Sequence, residues 1–104
     1  MLYMVHSTDK PGVAELVKAT LETHLKYLDD HKGPLVLAGG TRAEDGVTRL
    51  GSVFLLNMPN RAAVEAWLKD EPFTKAGVYQ TQTITRMRRG QWYPEHAPKT
   101  AEGD

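Results

Sequence analysis

Apolar residues along this chain fall first in strand-like runs, then at helical three- and four-residue intervals, and the cycle repeats. That order constrains the fold more than any single residue, because a strand buries alternate side chains and a helix buries a stripe. Leu2 to Ser7 reads as a first strand, ending at Ser7-Thr8-Asp9. Lys10-Pro11-Gly12 then opens a helix, with Pro11 suited to its first position. Val13, Leu16, Val17, Leu21, Leu25 and Leu28 recur at helical spacing to about His31, and Lys32-Gly33-Pro34 stops the run. Leu35-Val36-Leu37-Ala38 reads as a short buried strand, ended by Gly39-Gly40. A polar loop with the turn pair Asp45-Gly46 joins it to a third strand, Gly51 to Leu56, as a hairpin. Asn60 is a good N-cap for a second helix holding Val64, Trp67 and Leu68, which Pro72 ends or kinks. Val78 to Met87 is the last strand, with the β-favouring string Thr81-Gln82-Thr83-Ile84-Thr85.

Strand, helix, strand, strand, helix, strand is the split βαβ order. It predicts an α+β, ferredoxin-like βαββαβ sandwich with a four-stranded antiparallel sheet. Right-handed crossovers put both helices on one face. The other face would carry Leu2, Met4, Val36, Val53, Leu55 and their neighbours, a larger apolar patch than a monomer usually shows. A homodimer through that open face is therefore expected, with two-fold symmetry. The competing arrangement is a monomer whose tail folds back through Trp92 and Tyr93. Residues 1–90 are expected to form the domain and 91–104 a C-terminal tail.

Composition narrows the function classes. Thirteen Lys and Arg balance thirteen Asp and Glu, which argues against a nucleic-acid partner or a polybasic membrane anchor. There is no cysteine, so disulfides and thiolate metal sites are excluded. His6, His31 and His96 show no tight ligand spacing, and no metal or other cofactor is expected. Met1 to His6 lacks the basic start and long apolar core of a signal peptide, and no apolar run approaches membrane length; a cytoplasmic location is expected. Arg86, Arg88 and Arg89 cluster near Trp92, a pattern more typical of a solvated strand end than of an RNA contact.

His24 is the most informative polar residue. It stands three residues after Leu21 and four before Leu28, so it shares their helix face and points toward the sheet. A ring held there needs a partner. Asp70 and Glu71, three and four residues beyond Trp67, border the buried face of the second helix. Either would form an acid–base couple with His24, the carboxylate orienting the imidazole. Either would also serve as a cap for a turn begun by Pro72, Asp better than Glu. Both readings stand open from sequence, as does a core histidine with no chemistry. Gly39-Gly40 reads either as a pocket wall with accessible amides or as a bulge. Ser52 has no evident activating base, which counts against a nucleophile.

These residues, taken in order, resemble the YCII-related family. The resemblance spans roughly residues 1 to 90. It rests on Met1-Leu2-Tyr3, Thr23-His24-Leu25, Leu37-Ala38-Gly39-Gly40, Gly51-Ser52 and the closing Glu71-Pro72-Phe73-Thr74-Lys75-Ala76-Gly77-Val78-Tyr79. It implies a dimeric α/β-barrel-type assembly and a pocket with a histidine, which maps onto His24, and an aspartate. The family's aspartate stands directly before the proline, where this chain has Glu71, with Asp70 one step earlier. The implied activity is cofactor-free lyase or isomerase chemistry on a small ring metabolite, such as loss of hydrogen halide. The alternative is a non-catalytic module that binds a metabolite. The expected catalytic residues are His24 with Asp70 or Glu71; Gly39, Gly40, Ser52 and Phe73 are the expected ligand contacts.

Overall fold

A computed structural model describes residues 1–103. The four strands β1 (Leu2–Asp9), β2 (Leu35–Arg42), β3 (Arg49–Asn57) and β4 (Tyr79–Met87) form one antiparallel sheet in the order β2-β3-β1-β4. Helices α1 (Ala14–Asp30) and α2 (Arg61–Lys69) make the crossovers, and a short third helix, α3 (Pro72–Ala76), follows α2. This is the ferredoxin-like βαββαβ arrangement expected from the element order.

Alternation in the central strand β1 divides the two faces. Tyr3, Val5 and Ser7 are buried under the helices, whereas Met4 and His6 lie on the open side. Phe54 and Leu56 from β3 join Tyr3 and Val5, and Val64, Trp67 and Leu68 from α2 complete the core. Each fully buried residue of this kind is worth about 1.5–3 kcal/mol of transfer free energy. The helices are tied at their ends: Tyr27 Oη donates to the Trp67 carbonyl at 2.6 Å, and Trp67 Nε1 donates to the His31 carbonyl at 3.1 Å. Asn60 caps α2 as expected, accepting from the Ala63 amide at 2.9 Å. Gly51 is required where β3 pairs with the end of β1, because a Cβ there would lie 1.9 Å from the Ser7 carbonyl oxygen.

Three details depart from the sequence expectations. Strand β1 runs on to Asp9, so Lys10-Pro11-Gly12 forms a turn and α1 starts at Ala14, with Val13 before it. Pairing decides this: β1 is central, and its ladder with β4 continues to Asp9 opposite Tyr79. Strand β2 passes straight through Gly39 and Gly40 instead of ending there, and neither glycine has positive φ. As an edge strand it is also largely exposed rather than buried. The apolar stripe of α1 is only partly covered: Leu21 and Leu25 are exposed, and His24 is the buried residue of that helix.

The open face carries Met4, Leu37 and Met87, each well exposed; Leu37 is 63% exposed. Trp92 borders one end of this face beside Leu2, Leu55 and Met87 and is itself half exposed. Tyr93 donates to Gln91 Oε1 at 2.7 Å, stacks on His96 and is itself half exposed. The Arg89 guanidinium sits 5.7 Å over the Trp92 ring. Asp104, the last residue of the expected tail, lies outside the described residues. Among the described residues no helix is long and apolar enough to cross a membrane.

Candidate active site

The local chain path at the end of α2 brings a carboxylate inward. Asp70 closes α2 and is exposed. Glu71 is extended, at φ −68° and ψ 126°, because the residue before a proline avoids helical geometry. This break swings the Glu71 side chain into the interior, where it is completely buried. Pro72 then starts α3. Glu71 therefore meets His24, and Asp70 does not: the open choice between the two carboxylates resolves to Glu71.

Glu71 makes both contacts the sequence set against each other, the cap and the pairing with His24. It caps α3, with Oε1 accepting from the Phe73 amide and Oε2 from the Thr74 amide, each at 3.0 Å. Oε1 also pairs with His24 Nδ1. A Glu is a poor cap in general, but its extra methylene is what lets one carboxylate reach both the helix start and the ring. The Thr74 hydroxyl donates to Oε2 at 3.0 Å and accepts from Gln82 Nε2 at 3.1 Å. Gln82 Nε2 also donates to the Ser7 hydroxyl at 3.2 Å. Burial pushes the Glu71 carboxyl upward, but His24 and the Phe73 and Thr74 amides outweigh it and hold the group below the ordinary glutamate value.

An ionised Glu71 can only accept, so His24 Nδ1 carries a proton, and in the neutral ring the lone pair then sits on Nε2. No hydrogen bond to Nε2 occurs among the described residues, and no buried side-chain nitrogen or oxygen there lacks a partner. Nε2 therefore reaches accessible surface. Phe73 stacks on the imidazole, with centroids 3.9 Å apart and planes 14° from parallel, and fixes the ring plane. The result is an imidazole fixed in position and plane and only 7% exposed.

His24 opens on a cleft of about 200 Å3 between α1 and the β2–β3 side of the sheet. Leu21, Leu25 and Leu28 of α1 form one wall, which explains why the apolar stripe of that helix is not fully covered. Gly39, Gly40, Ser52 and Phe73, the expected ligand contacts, all line the same cleft. Ser52 has no base beside it: its Oγ accepts from Arg49 Nη2 at 2.8 Å and shares a 2.7 Å hydrogen bond with Tyr79 Oη. Burial pushes the Tyr79 phenol up to about 12.

Arg42 and Arg49 also line the cleft, and sequence reasoning missed both. Alternation along β3 would place Arg49 with Gly51 and Val53 on the open face. Between Thr41 and Arg42 the register shifts, however, so that Arg42 pairs with Arg49 and Leu50 is the extra residue. That bulge turns Arg49 to the helix side. Its Nε donates to Asp9 Oδ2 at 2.8 Å, and its guanidinium lies 4.9 Å from the Phe73 ring centroid.

Fold and site together define a class: a ferredoxin-like α+β protein with a histidine–carboxylate pair at the floor of a small cleft. The chain belongs to the YCII-related domain family, whose model matches residues 1–88. Among solved structures it is similar to 5-chloro-2-hydroxyhydroquinone dehydrochlorinase (TftG) from Burkholderia phenoliruptrix AC1100, in complex with 2,5-dihydroxybenzoquinone. That match has a TM-score of 0.79 and 26% identity and covers 86% of this chain and 96% of the other. Protein Atu4242 from Agrobacterium tumefaciens matches with a TM-score of 0.54 and 18% identity, covering 90% of this chain and 98% of that one. An antibiotic biosynthesis monooxygenase matches with a TM-score of 0.52 and 17% identity, covering 85% and 97%. The last two show the fold alone. No curated protein sequence matches significantly.

Proposed function

We propose that this chain is a small-molecule enzyme working by proton transfer without a cofactor, a lyase or isomerase acting on a cyclic, oxygenated compound. The observation that carries this reading is the His24 imidazole, bound through Nδ1 to buried, ionised Glu71 while Nε2 faces the cleft. His24 is the base, Glu71 fixes its tautomer and offsets the imidazolium charge as it forms, and Phe73 holds the ring plane. In a dehydrohalogenation, Nε2 takes a proton from the substrate, its bonding electrons enter the ring system, and halide departs with the carbon–halogen pair. The products are dehydrohalogenated ring, halide and a proton that leaves His24 for solvent. The similarity to a dehydrochlorinase solved with a dihydroxyquinone supports this substrate class.

The working unit proposed is a cytoplasmic homodimer closed over the open sheet face, because Met4, Leu37 and Met87 remain exposed there. Light scattering should give twice the chain mass of 11.6 kDa, and a single-chain mass would overturn this assembly.

The functional test is chloride release from 5-chloro-2-hydroxyhydroquinone by the wild type, His24→Gln and Glu71→Gln. Loss of an oriented base should lower turnover by about 10²–10⁴-fold. Wild-type rates in both variants would remove the acid–base assignment. Binding without turnover in the wild type would instead mark a metabolite-binding module.

A further inference from the structure

We infer that the cleft selects ligands carrying an ionised oxygen, and that Arg49 holds that oxygen through Nη1. This inference rests on the acid–base reading for the location of the site and adds the charge of the substrate. The lining is one-sided in charge: Arg42 and Arg49 line the cleft, and no carboxylate among the described residues does. Glu71 is sealed beneath His24, and Asp9 sits behind Arg49.

Arg49 is held in a fixed pose. Nε donates to Asp9 Oδ2 at 2.8 Å, and Nη2 donates to Ser52 Oγ at 2.8 Å and more weakly to Asp9 Oδ1 at 3.4 Å. Nη1 has no hydrogen bond among the described residues, and because none of their buried side-chain nitrogens is unpartnered, it reaches accessible surface. It lies beside Gly40, where a Cβ would stand 3.3 Å from it. Glycine at that position leaves the guanidinium edge uncovered. A planar donor already held on two sides offers its remaining N–H groups to an anionic oxygen at little entropic cost. His24 and Arg49 line the same small cleft, so one ring compound can touch both groups: its ionised oxygen on Nη1 and its acidic proton toward Nε2.

A purely structural Asp9–Arg49 pair would produce no preference between charged and neutral rings, and calorimetry separates the cases. The probes are 2,5-dihydroxybenzoquinone at neutral pH, its uncharged dimethyl ether, and benzoate. The wild type should bind the better of the two anions about thirtyfold more tightly than the ether. Whether that is the hydroxyquinone or benzoate identifies the oxygen as a ring enolate or a carboxylate. Arg49→Gln should erase most of the preference while leaving affinity for the ether in place. Should that variant not fold, Asp9→Asn/Arg49→Gln removes both charges together, and the wild-type comparison decides independently. Equal affinities in the wild type, no binding of any probe, or an intact preference without Arg49 would each overturn the inference. His24→Gln separates the two readings. A preference that persists alongside wild-type turnover in that variant sinks the acid–base assignment alone. A missing preference with His24 still required for turnover sinks only the Arg49 assignment.

Discussion

Replacing Glu71 with Gln should cost stability and chemistry together. The carboxylate accepts four hydrogen bonds: from His24 Nδ1, the Phe73 amide, the Thr74 amide and the Thr74 hydroxyl. An amide has one acceptor oxygen. If that oxygen stays with His24 and Phe73, the new NH2 group faces the Thr74 amide, donor against donor. If the amide flips, it donates to Nδ1 and drives the proton to Nε2, so the base is lost. Either way a buried donor is stranded, at about 1–3 kcal/mol, and charge-assisted bonds weaken to neutral ones. A net loss of about 2–4 kcal/mol follows. For a domain of this size it lowers Tm by about 10–25 °C. Thermal and urea denaturation followed by circular dichroism measure the stability, and an imidazole nitrogen NMR spectrum reports the tautomer. A variant within about 0.5 kcal/mol of wild type with an unchanged tautomer would refute the claim that Glu71 charge organises this site.

Acid should act through the same group. A carboxyl whose folded pKa is depressed stabilises fully above its unfolded value and loses that contribution as pH falls through the folded one. The stability gap between wild type and Glu71→Gln should therefore be constant near neutrality and shrink below the ordinary value of 4.5, as urea midpoints at stepped pH will show. Tyr79 has the opposite sign: its neutral form is favoured, so its contribution is intact below pH 10.0 and fades as pH rises toward about 12. Ultraviolet phenolate titration should show a late step that Tyr79→Phe removes. Gly51→Ala, which sets a Cβ 1.9 Å from the Ser7 carbonyl oxygen, should cost about 3 kcal/mol or more in urea unfolding. Gly39→Ala, with nothing within 4 Å, should stay within about 0.5 kcal/mol.

Much of the fold was legible because local chemistry and global architecture agree. Gly33-Pro34 stops α1, Asn60 starts α2, and the order of patterns yields the sheet. His24 was legible as well, since its spacing from Leu28 fixes its direction. Glu71 was visible only as one of two carboxylates. The choice depends on the backbone angles before Pro72, which decide whether position 70 or 71 turns inward. Sequence reasoning also set capping against pairing, although one carboxylate has oxygens enough for both. Arg49 was hidden for a different reason: strict alternation assigns it to the wrong side, and a register shift leaves no compositional mark. The leucines of α1 satisfied the helical pattern, but the pattern does not say whether a stripe meets a sheet or walls a hollow.

The extra residue at Leu50 has a consequence for how relatives of this chain can diverge. Gaining a single residue in β2 opposite Leu50 would restore plain alternation and rotate the guanidinium from the hollow to the far side of the sheet, with His24 and Glu71 undisturbed. On the proposed role of Arg49, a change of length in one hairpin would act as a selector of ligand charge, independent of His24 and Glu71. Members with the same pair but one more residue opposite Leu50 should accept uncharged rings.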